Sequence, residues 1–362
     1  MEGDSRRAEA RNYVHILLDD LVQRGGSDLY LTAGAAPRAK VRGITQALSS
    51  EALAPGECAH LAFALLTPQQ HAQFEQDKEL NFAYALPGGQ RFRVNLHYQR
   101  GEVSLVARAV NSSIPSISAL GLPAQVEKLA LLERGLVLVV GATGSGKSTT
   151  MAAMINHRAA QRSGHILTVE DPIEYVFTHQ ASTVNQREVG TDTHSFSDAL
   201  RNSMRQAPDT IVIGEIRDRD AMMQAITYAE TGHLCLATLH ANNANQAIKR
   251  VLNFFPETAH RQVLNDLSLN LKACISQRLL RGRQGQLVLA CEVMMQSAYI
   301  ADLIEKGAID EIKAAMAKST EVGMLTFDQC LHELWKTAKI DTETALSQAD
   351  SRTDLGLKMK LG

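Results

Sequence analysis

Between residues 8 and 24, Val14, Leu17, Leu18, Leu21 and Val22 fall at i, i+3, i+4, i+7 and i+8, the spacing of one buried helical face. Gly25 and Gly26 close that segment. The period then switches to two. Ser27–Thr32 (SDLYLT) alternates as a strand, helical text occupies residues 55–77, and Leu80–Leu86 reads as a further strand. Pro87, Gly88 and Gly89 mark a turn before Gln90–Leu96, where Phe92, Val94 and Leu96 share a face, and another strand follows over Glu102–Val110. Strands packed with a few helices predict a small α+β unit over residues 1–110.

The stretch 111–118 (NSSIPSIS) surrounds Pro115 with serines and reads as a linker. Beyond it, short fully apolar strands alternate with helical text, the strand candidates being Leu136–Val140, His165–Val169, Thr210–Ile213 and His233–Leu239. Strands of that kind are buried on both faces, as in a parallel sheet. The pattern therefore predicts an α/β core over residues 119–295, followed by a charged helical region over 296–362.

Composition narrows the class. A chain of 362 residues with 45% hydrophobic and 21% charged positions is an ordinary globular mixture, which excludes disorder over most of its length. Its longest apolar run, Gly135–Val140, falls far short of the ~18 residues that cross a bilayer. The polar opening MEGDSRRAEA lacks the apolar stretch of a secretory leader, so the chain is expected to be cytoplasmic. Cys58, Cys235, Cys274, Cys291 and Cys330 are scattered, with no C-x-x-C spacing, which favours reduced thiols over a disulfide framework or structural zinc. A formal charge of −2 gives no overall footprint for nucleic acid, and none is expected as a partner.

The chemistry concentrates in four places. The run GATGSGKS, from Gly141 to Ser148, satisfies G-x-x-x-x-G-K-[ST], preceded by an apolar strand and followed by a helix rich in Ala and Met. Glycines there let backbone N–H groups curl around phosphate oxygens, Lys147 can reach the β- and γ-phosphates, and the Ser148 hydroxyl can ligate Mg²⁺. Glu215 follows the buried strand Thr210–Ile213, where a second acidic residue near the metal and the attacking water is expected; a capping acid for the next helix is the plainer alternative. Glu170, Asp171 and Glu174 form an acidic turn at another strand end, with one of them a candidate general base. His233 and His240 bracket a strand, and their separation makes a shared metal improbable; His240 sits at its loop end, where it could sense the γ-phosphate.

The phosphate loop, EDPIEY at 170–175, RQAPDTIVIGEIRD at 205–218 and ETGHLCLATLHANNANQA at 230–247 together resemble the secretion ATPases of type II secretion and type IV pili. SDLYLT at 27–32 and RFRVN at 91–95 resemble the amino-terminal domain of the PilT/PilU retraction branch, and HANNANQA at 240–247 is most similar to its PilU-like members. The resemblance implies a PAS-like amino-terminal domain, a RecA-like P-loop core and carboxy-terminal helices. It implies ATP and Mg²⁺ as ligands, with Gly141, Ala142, Thr143, Gly144, Ser145, Gly146, Lys147, Ser148 and Thr149 at the nucleotide and Ser148 at the metal. Glu215 matches the Walker B glutamate, which reaches the metal through water; Glu174 matches the general base, and His233 and His240 match histidines near the phosphates. Arg93 and Arg108 match arginines that reach a neighbouring subunit's γ-phosphate, with strand-surface arginines as the plainer alternative.

What the resemblance implies about assembly is a homo-hexameric motor for pilus retraction, peripheral to the inner membrane, with a PilC-like platform protein as partner. The segment Ala298–Ile304 (AYIADLI) departs from the AIRNLI motif of PilT-type chains, which implies dependence on a PilT-like ATPase. The competing reading is a nucleotide-binding regulatory ring that couples to PilT without being an independent motor.

Overall fold

The computed structural model describes residues 2–111, 113–319 and 323–361. It divides into two compact units, Met1–Ser112 and Ser113–Gly362, with the boundary inside the serine-rich 111–118 stretch.

The first unit runs α1 (Glu2–Gln23), β1 (Gly26–Thr32), β2 (Arg38–Val41), β3 (Ile44–Ala47), α2 (Glu57–Leu65), α3 (Pro68–Asp77), β4 (Glu79–Ala85), β5 (Arg91–Gln99) and β6 (Glu102–Ala109). Among the described residues its strands form one antiparallel sheet in the order β3-β2-β1-β6-β5-β4. Val14, Leu17, Leu18 and Leu21 of α1 are buried against the same core as Phe92, Val94 and Leu96 of β5, while Val22 turns out of the face. The hairpin β2–β3 was not legible in the pattern, because every position of β3 is exposed and nothing alternates. Its turn is set instead by Arg42 and Gly43, both at positive φ (49° and 80°), the geometry that matches strand twist in a two-residue hairpin.

The second unit opens with α4 (Gln125–Ala130), β7 (Gly135–Gly141), α5 (Lys147–Gln161), β8 (Gly164–Glu170), β9 (Ser182–Glu188), α6 (Phe196–Ser203) and β10 (Thr210–Ile213). It continues with α7 (Arg219–Glu230), β11 (Leu234–Leu239), α8 (Ala244–Leu252), α9 (His260–Asn270), β12 (Leu271–Arg281) and β13 (Leu287–Met295). The helices α10 (Ala298–Glu305), α11 (Ile312–Lys318), α12 (Phe327–Lys336), α13 (Thr342–Gln348) and α14 (Arg352–Leu361) close it.

Its sheet has the order β13-β12-β7-β11-β10-β8-β9, parallel from β12 to β9, with β13 antiparallel at the edge. Every residue of β7, β10 and β11 is buried, as two helix-covered faces require. Parallel order places the carboxyl ends of β7, β8, β10 and β11 on one edge, where open α/β sheets bind their ligands.

The carboxy-terminal helices are not a separate body. Ile300, Leu303, Ile304, Ile312 and Met316 of α10 and α11 belong to the same core as Leu136, Leu138 and Val140 of β7. Phe327, Leu331, Ala345 and Leu355 of α12, α13 and α14 pack on Leu280, Val288 and Ala290 of the β12–β13 hairpin.

Candidate active site

Strand β7 feeds directly into Gly141, and the chain turns over five residues before α5 begins at Lys147. Glycine is required at the entry: a Cβ on Gly141 would lie 2.2 Å from Ser145 Oγ and 2.7 Å from the Gln277 carbonyl. Gly144 and Gly146 take φ of 77° and 90°, the left-handed region that glycine enters without steric cost. Gly146 caps α5 with no side-chain acceptor, whereas α6, α7, α8 and α10 are capped by Ser195, Asp218, Asn243 and Ser297. The first-turn N–H groups of α5, together with the positive end of its dipole, are thus presented to an anion.

Lys147 Nζ donates to the carbonyls of Gly141 and Ala142, 3.0 Å each, and so lies folded across the loop. Partial burial holds its pKa below the usual lysine value, opposed by the charges of Glu215 and Glu174. Thr149 Oγ1 lies 2.9 Å from Tyr175 Oη, and Gln277 Nε2 donates to Thr150 Oγ1 at 2.7 Å, which fixes the first turn of α5 to the sheet.

The loop forms one wall of a cavity of about 290 Å³. The opposite wall comes from the ends of β8, β10 and β11, which bring Glu170, Asp171, Glu174, Glu215, Arg217 and His240 together. Glu215 is gripped on both oxygens: His240 Nε2 lies 2.7 Å from Oε1, and Arg217 Nε donates to Oε2 at 2.7 Å. Arg217 also reaches Asp171 Oδ2 at 2.9 Å, so one guanidinium ties the β8 turn to the β10 turn. Glu170 accepts from Thr168 Oγ1 at 2.6 Å and Gln186 Nε2 at 3.1 Å; burial nonetheless raises its pKa from the ordinary glutamate value. Glu174 is exposed on the same wall.

The donor set fits Mg²⁺ carried with a phosphate. Among the described residues no group of three or more His, Cys, Asp or Glu could hold a metal by itself. Mg²⁺ keeps several waters and uses few protein ligands beside phosphate oxygens. The exposed Ser148 hydroxyl on the cavity wall suits that role, and Glu215 lines the same cavity.

His233, Arg93 and Arg108 are not among the residues lining this cavity. His233 precedes β11 at its amino end, with Nδ1 3.0 Å from Thr231 Oγ1. A six-residue strand spans about 20 Å, so His233 does not join the cavity that His240 lines. Of the two histidines expected near the phosphates, His240 lines this cavity and His233 does not. Arg93 and Arg108 belong to the first unit, directly opposite each other across β5 and β6. Arg108 Nε donates to the buried Asp28 at 2.6 Å. Conversely, Thr238 was not singled out; Thr238 Oγ1 donates to the Gly214 carbonyl at 2.5 Å and holds the turn that presents Glu215. A threonine inside an apolar strand was the available signal for it.

A glycine-rich loop between a buried strand and a helix, facing carboxylates at adjacent parallel strand ends, defines a P-loop nucleotide-binding core. The model of the type II/IV secretion system protein family matches residues 10–353, and the chain belongs to that family. It is 49% identical to the type IV pilus ATPase PilU of Pseudomonas aeruginosa over 96% of this chain and 91% of that protein. To the type IV pilus retraction ATPase PilT of the same organism it is 38% identical, over 92% of this chain and 97% of PilT. A crystal structure of the pilus retraction motor PilT with bound ADP superposes with a TM-score of 0.88 at 39% identity, covering 94% of this chain and 98% of that one. The Legionella pneumophila ATPase DotB shares the fold, with a TM-score of 0.80 at 24% identity, covering 92% of this chain and 94% of that one.

Proposed function

We infer that this chain hydrolyses ATP as a motor subunit for type IV pilus retraction and twitching motility. The observation that carries the reading is the phosphate loop facing Glu215, with His240 and Arg217 fixing that carboxylate. The similarity to PilU and PilT over nearly the whole chain supports the pilus role.

In this reading, Gly141–Thr149 bind the triphosphate, and Lys147 exchanges its two carbonyl contacts for phosphate oxygens. Mg²⁺ bound at Ser148 would neutralise phosphate charge. Glu215 orients the attacking water, and Glu174, exposed on the facing wall, serves as general base. Arg93 and Arg108 act on the nucleotide of the next subunit in a homo-hexameric ring, where a cation supplied in trans stabilises transition-state charge. The 111–118 stretch acts as the hinge between units, peripheral to the inner membrane and against a PilC-like platform.

A PilU-like chain would work beside a PilT-type partner, and the Ala298–Ile304 departure supports that dependence. The alternative is a regulatory ring that binds ATP and couples to PilT. Steady-state ATPase turnover of the purified chain, compared with Glu215→Ala at equal nucleotide occupancy, separates them. The motor reading expects wild-type turnover and at least about a tenfold loss in the variant. Background turnover in both, with ATP still bound, overturns it in favour of the regulatory ring.

A further inference from the structure

Glu292 of β13 is a carboxylate buried to 2% exposure, outside the cavity and not used in the mechanism above. Its Oε1 accepts from the Ala244 N–H at 2.9 Å and from Ser276 Oγ at 3.2 Å. Ala244 is the first residue of α8, and only residues 240–243 separate α8 from the end of β11. That four-residue connection begins with His240.

The amino end of α8 is already capped locally. Asn243 accepts from the Gln246 N–H at 2.9 Å, and Gln246 Oε1 accepts from Asn242 N–H at 3.3 Å. These bonds shape the turn but do not anchor it. Glu292 adds a hydrogen-bonded tie to the sheet, reaching from a strand 48 residues away in sequence. Ser276, its register partner on β12, lies beside Val140 of β7, one position before the phosphate loop.

We propose that Glu292 is a positioning residue for His240: by tying the start of α8 to the sheet, it holds the 240–243 loop so that His240 stays against Glu215. This rests on the ATPase reading. Loss of the tie leaves the amino end of α8 held by the apolar packing of Ala244, Ala247 and Ile248, and the imidazole loses its fixed place against the carboxylate.

The test uses the full chain with Glu292→Met, Glu292→Gln, His240→Ala and the Glu292→Met/His240→Ala pair. Each is measured for ATPase kcat, affinity for a fluorescent ATP analogue, and thermal unfolding. The expected result is about a tenfold loss of kcat in Glu292→Met with affinity within about threefold, and less than about twofold further loss when His240→Ala is already present. Glu292→Gln keeps the accepting oxygen and retains most activity. Multiplicative losses in the pair, unchanged kcat in Glu292→Met, or a tenfold loss in a folded Glu292→Gln would each overturn the proposal. Should Glu292→Met fail to fold, Ala244→Pro removes the donor instead, at a first-turn position that suits proline, and carries the same expectation. A wild type without turnover sinks the ATPase reading itself; wild-type turnover with independent losses sinks this inference alone.

Discussion

His240 and Arg217 divide the carboxylate of Glu215 between them, His240 on Oε1 and Arg217 on Oε2, each at 2.7 Å. A carboxylate held from two sides keeps one orientation toward the phosphate loop. His240→Ala is therefore expected to lower kcat by about ten- to a hundredfold while nucleotide affinity moves less than about threefold. Steady-state kinetics beside equilibrium binding of a fluorescent nucleotide checks this. An affinity loss as large as the kcat loss would place His240 in binding instead.

The two ion pairs of Arg217 are not equivalent. Removing Asp171 leaves the Arg217–Glu215 contact standing, whereas removing Arg217 releases Glu215 from one side. Asp171→Asn should cost less than about threefold in kcat, and Arg217→Ala about tenfold, since a charged hydrogen bond is worth ~1.5–3 kcal/mol. Equal losses would mean that the link between the two turns matters more than the grip on Glu215.

Gly141 has no room for a methyl group. With Ser145 Oγ at 2.2 Å and a backbone carbonyl at 2.7 Å from the new Cβ, Gly141→Ala must shift the loop or β12. The variant should unfold at a lower temperature, by ~1–3 kcal/mol of stability, and lose nucleotide binding measured by fluorescence. Gly190→Ala makes a control, because its positive φ of 85° strains the backbone while its Cβ would meet nothing within 4 Å. Gly190→Ala keeping full binding, and Gly141→Ala losing it, is the expected pair.

Burial pushes Glu292 from 4.5 up to about 7. Below the lower value the group is protonated in folded and unfolded chains alike. Between the two values the unfolded chain releases a proton that the folded chain keeps, so this group's contribution to stability is lost as pH rises through about 7. Glu292→Gln removes that dependence. Its melting temperature relative to wild type should rise between about pH 5 and about pH 8, and a flat difference would contradict the shift.

How much of this was visible in the residues depends on what each position answers to. The phosphate loop was legible because glycines, lysine and serine there serve the ligand, and the buried strand before it has no polar positions to confuse the period. Glu215 was legible from the strand that precedes it. The hairpin β12–β13 was not, because Gln277 and Glu292 interrupt its apolar text although both are buried. Their partners, Thr150 and Ala244, lie 127 and 48 residues away. That His233 and His240 stand at opposite ends of one strand was legible from their bracketing of its apolar run. Arg217 stood in view two residues after Glu215, yet its second partner, Asp171, is brought near only by the parallel pairing of β8 with β10.

The shared core of α10 and β7 has a mechanical consequence. Leu303 and Ile304 are buried in the same hydrophobic core as Leu136 and Leu138. A close-packed contact of that kind is stiff. A load borne by α10 is therefore passed through that core toward the sheet that carries the phosphate loop.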